Sequence, residues 1–339
     1  DRWCPMSSVD ALPARAALAP GWRLWKTGVA AAAVWAGVGG VTLGWPNVEV
    51  GFSSWGYTRE FGVAALALAA LLLLVAVSGV EQARPVRALR RAGPWLLALA
   101  VAVGAWEIAT AKLALLPSPF FAPPQSLIEV YVTDYKRLGD SLVNSLWLLA
   151  NGFLLGAAAG FLTGVAIGWS RGLGYWVHPV LRFLGPVPST ALLPMAFFFF
   201  PSSWSAAVFL IALATWFPVT VLTWSGVAGV NRAYYDVART MGANEWFLVL
   251  RVAIPAALPQ VFVGLFMGLG ASFSVLVAAE MMGVKSGLGW YLSWAQGWAS
   301  YTNMYGALFV MALVFSGLIT LLFLGRDRLL AWQKGVVKW

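Results

Sequence analysis

Long apolar runs alternate with short polar stretches along most of this chain. A helix needs about 20 apolar residues to cross the hydrocarbon layer of a membrane. Eight stretches reach that length, at roughly 24–45, 61–80, 95–116, 142–169, 177–200, 204–230, 255–282 and 304–324. The first is rich in Ala and Gly. The third carries Glu107 and Lys112, the fifth is interrupted by prolines, and the seventh holds Glu280 near its end. The pattern predicts eight transmembrane helices and an all-α, polytopic fold.

Composition agrees. Of 339 residues, 60% are hydrophobic and 10% charged, with 20 Trp and a mean hydropathy of +0.78. Soluble domains carry about 25% charged residues, so a disordered chain and an ordinary cytosolic enzyme are both set aside. A single cysteine, Cys4, excludes an intrachain disulfide framework and a cysteine zinc site. A single histidine, His178, leaves little for imidazole chemistry. No catalytic or metal-ligating residue is expected. The polar, Pro-containing start (residues 1–21) has no apolar core of the kind a cleavable signal needs.

The net charge of +9 is distributed at the ends of the apolar runs rather than in one patch. It therefore reads as a topology signal and not as a nucleic-acid footprint. With the N-terminus inside, 17 of the 22 Lys and Arg fall on the inner side. Arg59, Lys112, Lys136, Arg137 and Lys285 fall outside. Positive loops stay inside, so both termini are expected in the cytoplasm. Outside, Pro117, Pro119, Pro123 and Pro124 predict an extended segment after the third span. Trp290, Trp294 and Trp298 recur every four residues, which predicts an interfacial helix with three indoles on one face.

The loop between the sixth and seventh spans is the most informative stretch. It runs from Asn231-Arg232-Ala233-Tyr234-Tyr235-Asp236-Val237-Ala238-Arg239-Thr240-Met241-Gly242-Ala243 through Asn244 to Arg251-Val252-Ala253-Ile254-Pro255. Its punctuation predicts a helix–turn–helix. Asn231 suits an N-cap, Gly242 a position of positive φ, Asn244 a second N-cap, and Pro255 a perturbation at the membrane surface. A short helix held away from the bilayer is a natural knob for a partner's groove.

These residues resemble the EAA loop of the permease subunits of ABC importers. That pattern is Glu-Ala-Ala, three residues, Gly, nine residues, Ile, one residue, Leu-Pro. Here Asp236-Val237-Ala238 stands for Glu-Ala-Ala and Gly242 follows after three residues. Val252 follows after nine more, and Ile254-Pro255 closes the pattern. The spacing is kept; Asp236, Val237, Val252 and Ile254 are conservative departures. Leu116-Pro117-Ser118-Pro119, Pro186-Val187-Pro188, Pro194, Ala279-Glu280-Met281 and Gly287-Leu288-Gly289-Trp290 narrow the resemblance to the nitrate/sulfonate/taurine/bicarbonate-type permeases. It covers about residues 95–339.

The resemblance implies a type I ABC importer (MetI-like) core of six transmembrane helices in residues 94–339. Residues 1–93 would add a cytoplasmic segment and two extra helices, giving eight spans in all, N-in and C-in. It implies a bacterial inner-membrane protein that pairs with a second permease subunit, as a homodimer, and with cytosolic ABC ATPase subunits. A periplasmic or lipid-anchored binding protein would deliver a small oxyanion such as a sulfonate, taurine, nitrate or bicarbonate. ATP and Mg would be bound by the ATPase and no cofactor by this chain, which has not even a Gly-Lys dipeptide for a phosphate loop. The coupling residues implied are Tyr234, Tyr235, Asp236, Val237, Ala238, Arg239, Thr240, Met241, Gly242 and Ala243. Asp236 and Arg239 are expected to pair with charges on the ATPase.

For the translocation path the candidates are Pro186, Pro188, Ser189, Thr190 and Pro194, because broken helices line paths. Glu280 and Met281 join them, because intramembrane acids are functional candidates. Glu280, near the outer end of its span and within reach of water there, reads either as a gate or as a structural group; Glu107 reads as a packing or hydrogen-bonding group. His178 and Arg182 read as snorkelling groups. An ion-gradient-driven secondary transporter is the alternative, though midplane ion-binding groups are few. A membrane-embedded enzyme would need clustered His, Asp or Cys, which the chain lacks.

Overall fold

The computed structural model describes residues 25–48, 55–78, 84–116, 119–185 and 187–332. Cys4, Pro117, Ser118, Pro186 and the arginines before residue 25 lie outside them. The described residues are almost entirely helical, and they group into two compact units. The first comprises Asp1–Leu116 with Pro123–Gln125; the second comprises Pro117–Ala122 with Ser126–Trp339.

In the first unit, α1 (Lys26–Gly44), α2 (Thr58–Val77), the short α3 (Arg84–Arg91) and α4 (Gly93–Glu107) follow one another. A π-helical turn, Ile108–Lys112, extends α4. Small residues let the helices approach closely. Ala31, Ala32, Ala65, Ala69, Ala76 and Ala100 are buried beside Trp25, Trp35 and Leu72. α4 packs on α1, and the first unit runs through α4.

Lys112 was expected among the outer loop charges. It is instead fully buried, because the π-turn carries its ammonium to the end of α1. Nζ donates to the carbonyls of Thr42 (3.0 Å) and Trp45 (2.6 Å) and to Asn47 Oδ1 (2.6 Å), and lies 3.8 Å from the Glu107 carboxylate. The last carbonyls of a helix lack intrahelical partners and carry partial negative charge. One ammonium with all three protons used satisfies two of them, which makes its burial tolerable. Glu107 is buried beside this ammonium.

The second unit begins with α5 (Pro124–Thr133), most of which belongs to it. It continues with α6 (Tyr135–Trp169), α7 (Arg171–Leu184), a 3-10 turn (Ser189–Leu192), α8 (Leu193–Phe199), α9 (Ser203–Ala228), α10 (Arg232–Thr240) and α11 (Glu245–Phe247). A π-helical stretch (Leu248–Ala253) leads into α12 (Ile254–Met282), and α13 (Leu288–Gly297) and α14 (Tyr301–Leu329) complete it. The core gathers Leu148, Leu149, Leu193, Leu210, Ile211 and Leu276.

What brings α6 and α9 together is a ladder of glycines, Gly152, Gly156, Gly160, Gly164 and Gly168, one every four residues. All lie on one helical face. A Cβ at Gly160 would come 2.8 Å from the Trp216 carbonyl, and one at Gly164 the same distance from the Thr220 carbonyl. Backbone therefore rests on backbone, and 12 of the 26 residues of α9 are buried. Gly264 and Gly268 of α12 also approach α9, near Pro218 and Thr215, while Gly226 of α9 meets Ala257 near the start of α12. The two helices are antiparallel, so α10 and α13 lie at opposite ends of α12.

Among the described residues, seven helices are long and apolar enough to cross a membrane. The expected fifth span is instead a pair, Arg171–Leu184 and Ser189–Phe199, bent by 82°. The proline cluster prevents one straight helix there. Pro194 does not kink a helix interior; it sits in the first turn of α8, where its missing N–H costs nothing. The three-indole face is also corrected. α13 is packed into the unit by Leu288, Tyr291, Leu292 and Ala295, and Trp290 and Trp294 pack partly against that cluster. Only Trp298, just past the helix end, is largely exposed.

Candidate functional site

The chain from α9 to α12 folds as its punctuation predicts. Asn231 Oδ1 accepts from the Ala233 amide at 3.0 Å and caps α10. Gly242 has φ +85° and reverses the chain, a conformation open to glycine and strained for other residues. Asn244 Oδ1 accepts from the Phe247 amide at 2.8 Å and caps α11. Pro255 has no amide proton to give, and the π-helical stretch ends just before it.

No residue of α10 is buried. Tyr234, Asp236, Val237, Arg239 and Thr240 are exposed, as are Met241 and Gly242 beyond the helix, while Ala238 and Ala243 are half-buried. Tyr235 faces inward, its ring edge-on to Trp169 at 5.7 Å, and burial raises its phenol above the ordinary value. Val237 and Met241, with Trp246, Phe247 and Leu250 of the next turns, leave an apolar tip open. Arg239 already has a partner in its own chain: Nη2 lies 3.4 Å from Glu245 Oε1. A cavity of about 960 Å³ flanks α10, lined by Trp169, Arg171, His178, Trp224, Arg232 and Tyr235 among others. His178, expected to snorkel, rests against Trp224 at 4.5 Å between ring centres.

Further along the second unit, a cavity of about 390 Å³ opens between the bent pair, α9 and α12. Ser189 and Thr190 line it, as the sequence suggested, and so does Ser274, which nothing in the sequence singled out. No charged side chain is among its lining residues. Pro188 caps the 3-10 turn and Pro194 is exposed; neither lines this cavity. The aromatic run is divided, with Phe197 and Phe200 packed on the core and Phe198 and Phe199 exposed.

Glu280 is not wet. It is 1% exposed and sits at the junction of α6, α12 and α13. Its Oε1 accepts from the Ser145 hydroxyl at 2.6 Å, and its Oε2 from the Gly289 amide at 2.8 Å. Ser145 Oγ in turn accepts from the Leu288 amide at 2.8 Å. Two first-turn amides of α13 are thus satisfied by side chains from two other helices, and a carboxylate at a helix N-terminus is favourably placed against the dipole. Gly287, at φ +104°, makes room, since a Cβ there would strike the carboxylate. Met281, beside it, is partly exposed at the end of α12. The same helix is pinned again by Tyr291, whose hydroxyl donates to Asp134 Oδ2 at 2.7 Å, and by Arg137 stacked 4.4 Å over Trp294. Burial, then the nearby Asp134 carboxylate, raises the Tyr291 phenol far above its ordinary value.

Comparison with known proteins gives this architecture a family. Residues 152–333 match the family described as binding-protein-dependent transport system inner membrane component. A probable ABC transporter permease of Brucella melitensis is 32% identical over 251 residues, 72% of this chain and 96% of the relative. A putative aliphatic sulfonates transport permease of Escherichia coli is 33% identical over 204 residues, covering 60% and 77%. A nitrate import permease of Synechococcus elongatus is 28% identical over 248 residues, covering 70% and 87%. Nothing in these likenesses favours an ion-gradient-driven carrier. The match and the seven long apolar helices agree on a multi-pass bacterial inner-membrane protein, a transport subunit. The chain belongs to the binding-protein-dependent ABC transporter permease family.

Proposed function

We propose that this subunit forms the path of an ATP-driven importer and is moved by a cytosolic ATPase through α10. The carrying observation is the isolation of that helix. It is held by asparagine caps and a glycine reversal and turns Tyr234, Val237 and Met241 outward. Exposed apolar side chains on a short helix suit a partner's groove. ATP and Mg belong to that partner, and an external binding protein delivers the cargo. Two copies of this chain form the path, each with both termini in the cytoplasm; the bent pair makes the eighth crossing.

The cavity beside Ser189 and Thr190 is our candidate for part of the path. Hydroxyl donors without a fixed cation suit brief contact with a small oxyanion, since they bind weakly enough to release it. The relatives named for sulfonates and nitrate, with a further one named for bicarbonate, support that cargo class.

Gly242→Val tests the coupling role. A β-branched residue at φ +85° is strained whatever space surrounds it. The variant is expected to insert normally in the membrane and to lose more than about 90% of ATP-driven uptake in proteoliposomes holding the complete transporter, as a helix reoriented by strain of about 1–3 kcal/mol misses its groove. Wild-type uptake by this variant would refute the role of α10.

A further inference from the structure

The first unit carries an exposed face that lies apart from the coupling helix and the cavity in sequence. Backbone hydrogen bonds from Ala92 to Ala88 and from Leu96 to Ala92 carry the helical path from α3 into α4. Within each helix, residues four apart share one side. Arg87 and Arg91 are such a pair in α3, and Trp95 and Leu99 in α4; all four are exposed, Trp95 to 79% and Leu99 to 53%. Leu89 points the other way into the core, and Arg90 has its Nε and Nη2 buried. The order along the face is two guanidiniums, then an indole, then aliphatic side chains. Going into a bilayer, a phospholipid presents phosphate, then glycerol, then acyl chain.

We propose that the α3–α4 elbow binds an anionic phospholipid, its phosphate held by Arg87 and Arg91 and its chains lying along Trp95 and Leu99. The positions match layer by layer. α3 directly precedes a membrane-crossing helix, so its charges lie at headgroup level. Guanidinium offers paired donors suited to phosphate oxygens. Indole favours the interface, where one edge is wet and the ring is not. Basic residues next to a membrane-crossing helix attract anionic lipid. This elbow lies outside residues 152–333, which match the family.

The test is native mass spectrometry of the full chain in mild detergent, with phosphatidylglycerol and phosphatidylcholine of identical acyl chains supplied in turn. Wild type should retain phosphatidylglycerol in preference. The double variant Arg87→Gln/Arg91→Gln should weaken that retention about thirtyfold and leave phosphatidylcholine unchanged. Arg87→Lys/Arg91→Lys should fall between, keeping charge but losing the paired donors. Arg328→Gln, at the end of α14, should change nothing. Equal retention of both lipids by wild type would overturn the proposal. So would an Arg328→Gln loss matching the double variant, which would mean diffuse attraction. Displacement of the lipid by excess inorganic phosphate would also overturn it, since the site would then read phosphate without the membrane component. A monodisperse elution profile for each variant separates lost lipid from lost fold.

Discussion

At one end of α12, two of the hydrogen bonds that hold α13 in place meet at Ser145, from Glu280 and Leu288, 135 and 143 positions away, and both are buried. At the other end, the caps that hold α10 and α11 span two or three residues, and both are exposed. The α13 end is fixed by groups drawn from three helices, so it is as firm as the packing among them. The α10 end is held in shape by its own sequence and touches little else. The difference teaches how one long helix can serve two purposes. Buried polar groups cannot be left unpaired without a large cost, so the α13 end moves only as a block. An exposed, locally capped helix can shift as a lever while keeping its shape. The two ends should therefore answer mutation oppositely, with stability sensitive at one and coupling at the other.

The largest effect is expected from Glu280→Ala. It strips acceptors from the Ser145 hydroxyl and the Gly289 amide inside the protein. Leaving buried donors unpaired costs about 1–3 kcal/mol, more where a charge was the partner, so a loss of about 3 kcal/mol is expected. It would be read as a lowered melting temperature of the detergent-purified chain. Ser145→Ala should cost about 1–2 kcal/mol. Because the two residues share one network, the double variant should lose less than the sum, with a coupling of at least about 0.5 kcal/mol. Strict additivity, or a Glu280→Ala protein as stable as wild type, would break the comparison at its buried end.

Smaller changes are expected from Asn231→Ala and Asn244→Ala. Each removes one exposed cap, worth about 1 kcal/mol of local helix stability. Since α10 is marginal in contacts, that cost should appear as fraying, seen in faster amide exchange at Ala233 and Phe247, and not as a lowered global melting temperature. Transport should fall with the caps. A global loss as large as that of Glu280→Ala would show that α10 is part of the core after all.

The unequal visibility of the two ends in the sequence has the same origin. The α10 end is local: Asn231, Gly242 and Asn244 act on neighbours two or three positions away, so their spacing alone predicts the structure found. The glycine ladder of α6 is also local in pattern, and its four-residue period could have been seen beforehand as a close helix contact. The Glu280 clasp is different in kind. It joins Ser145 to Glu280 and to Leu288 across 135 and 143 positions, and a single sequence holds no sign that these meet. Position along α12 suggested a wet carboxylate; only the packing of α13 over it makes the site dry. Lys112 went astray for a similar reason. One extra residue in a π-turn carries it inward, and Glu107 and the carbonyls at the end of α1, some seventy positions earlier, decide its burial.

The smallest effect on stability, and the sharpest reading of the exposed end, should come from Arg239→Ala. The sequence assigned this guanidinium to a partner's acid, yet it lies 3.4 Å from Glu245, with both side chains more than half exposed. Exposed pairs contribute roughly 0–1 kcal/mol and are screened by salt. The variant should therefore melt within about 0.5 kcal/mol of wild type, and Glu245→Ala should match it. Uptake in the complete transporter then separates two roles. If Arg239→Ala loses transport and Glu245→Ala keeps it, the guanidinium leaves Glu245 for an acid on the ATPase during the cycle, and charge recognition belongs to α10. If both keep transport, the apolar tip of Val237, Met241 and Trp246 carries the contact, and the exposed pair only stiffens the reversal at Gly242. Equal loss in both would mean that the pair itself sets the angle between α10 and α11, so that even the exposed end depends on a fixed geometry.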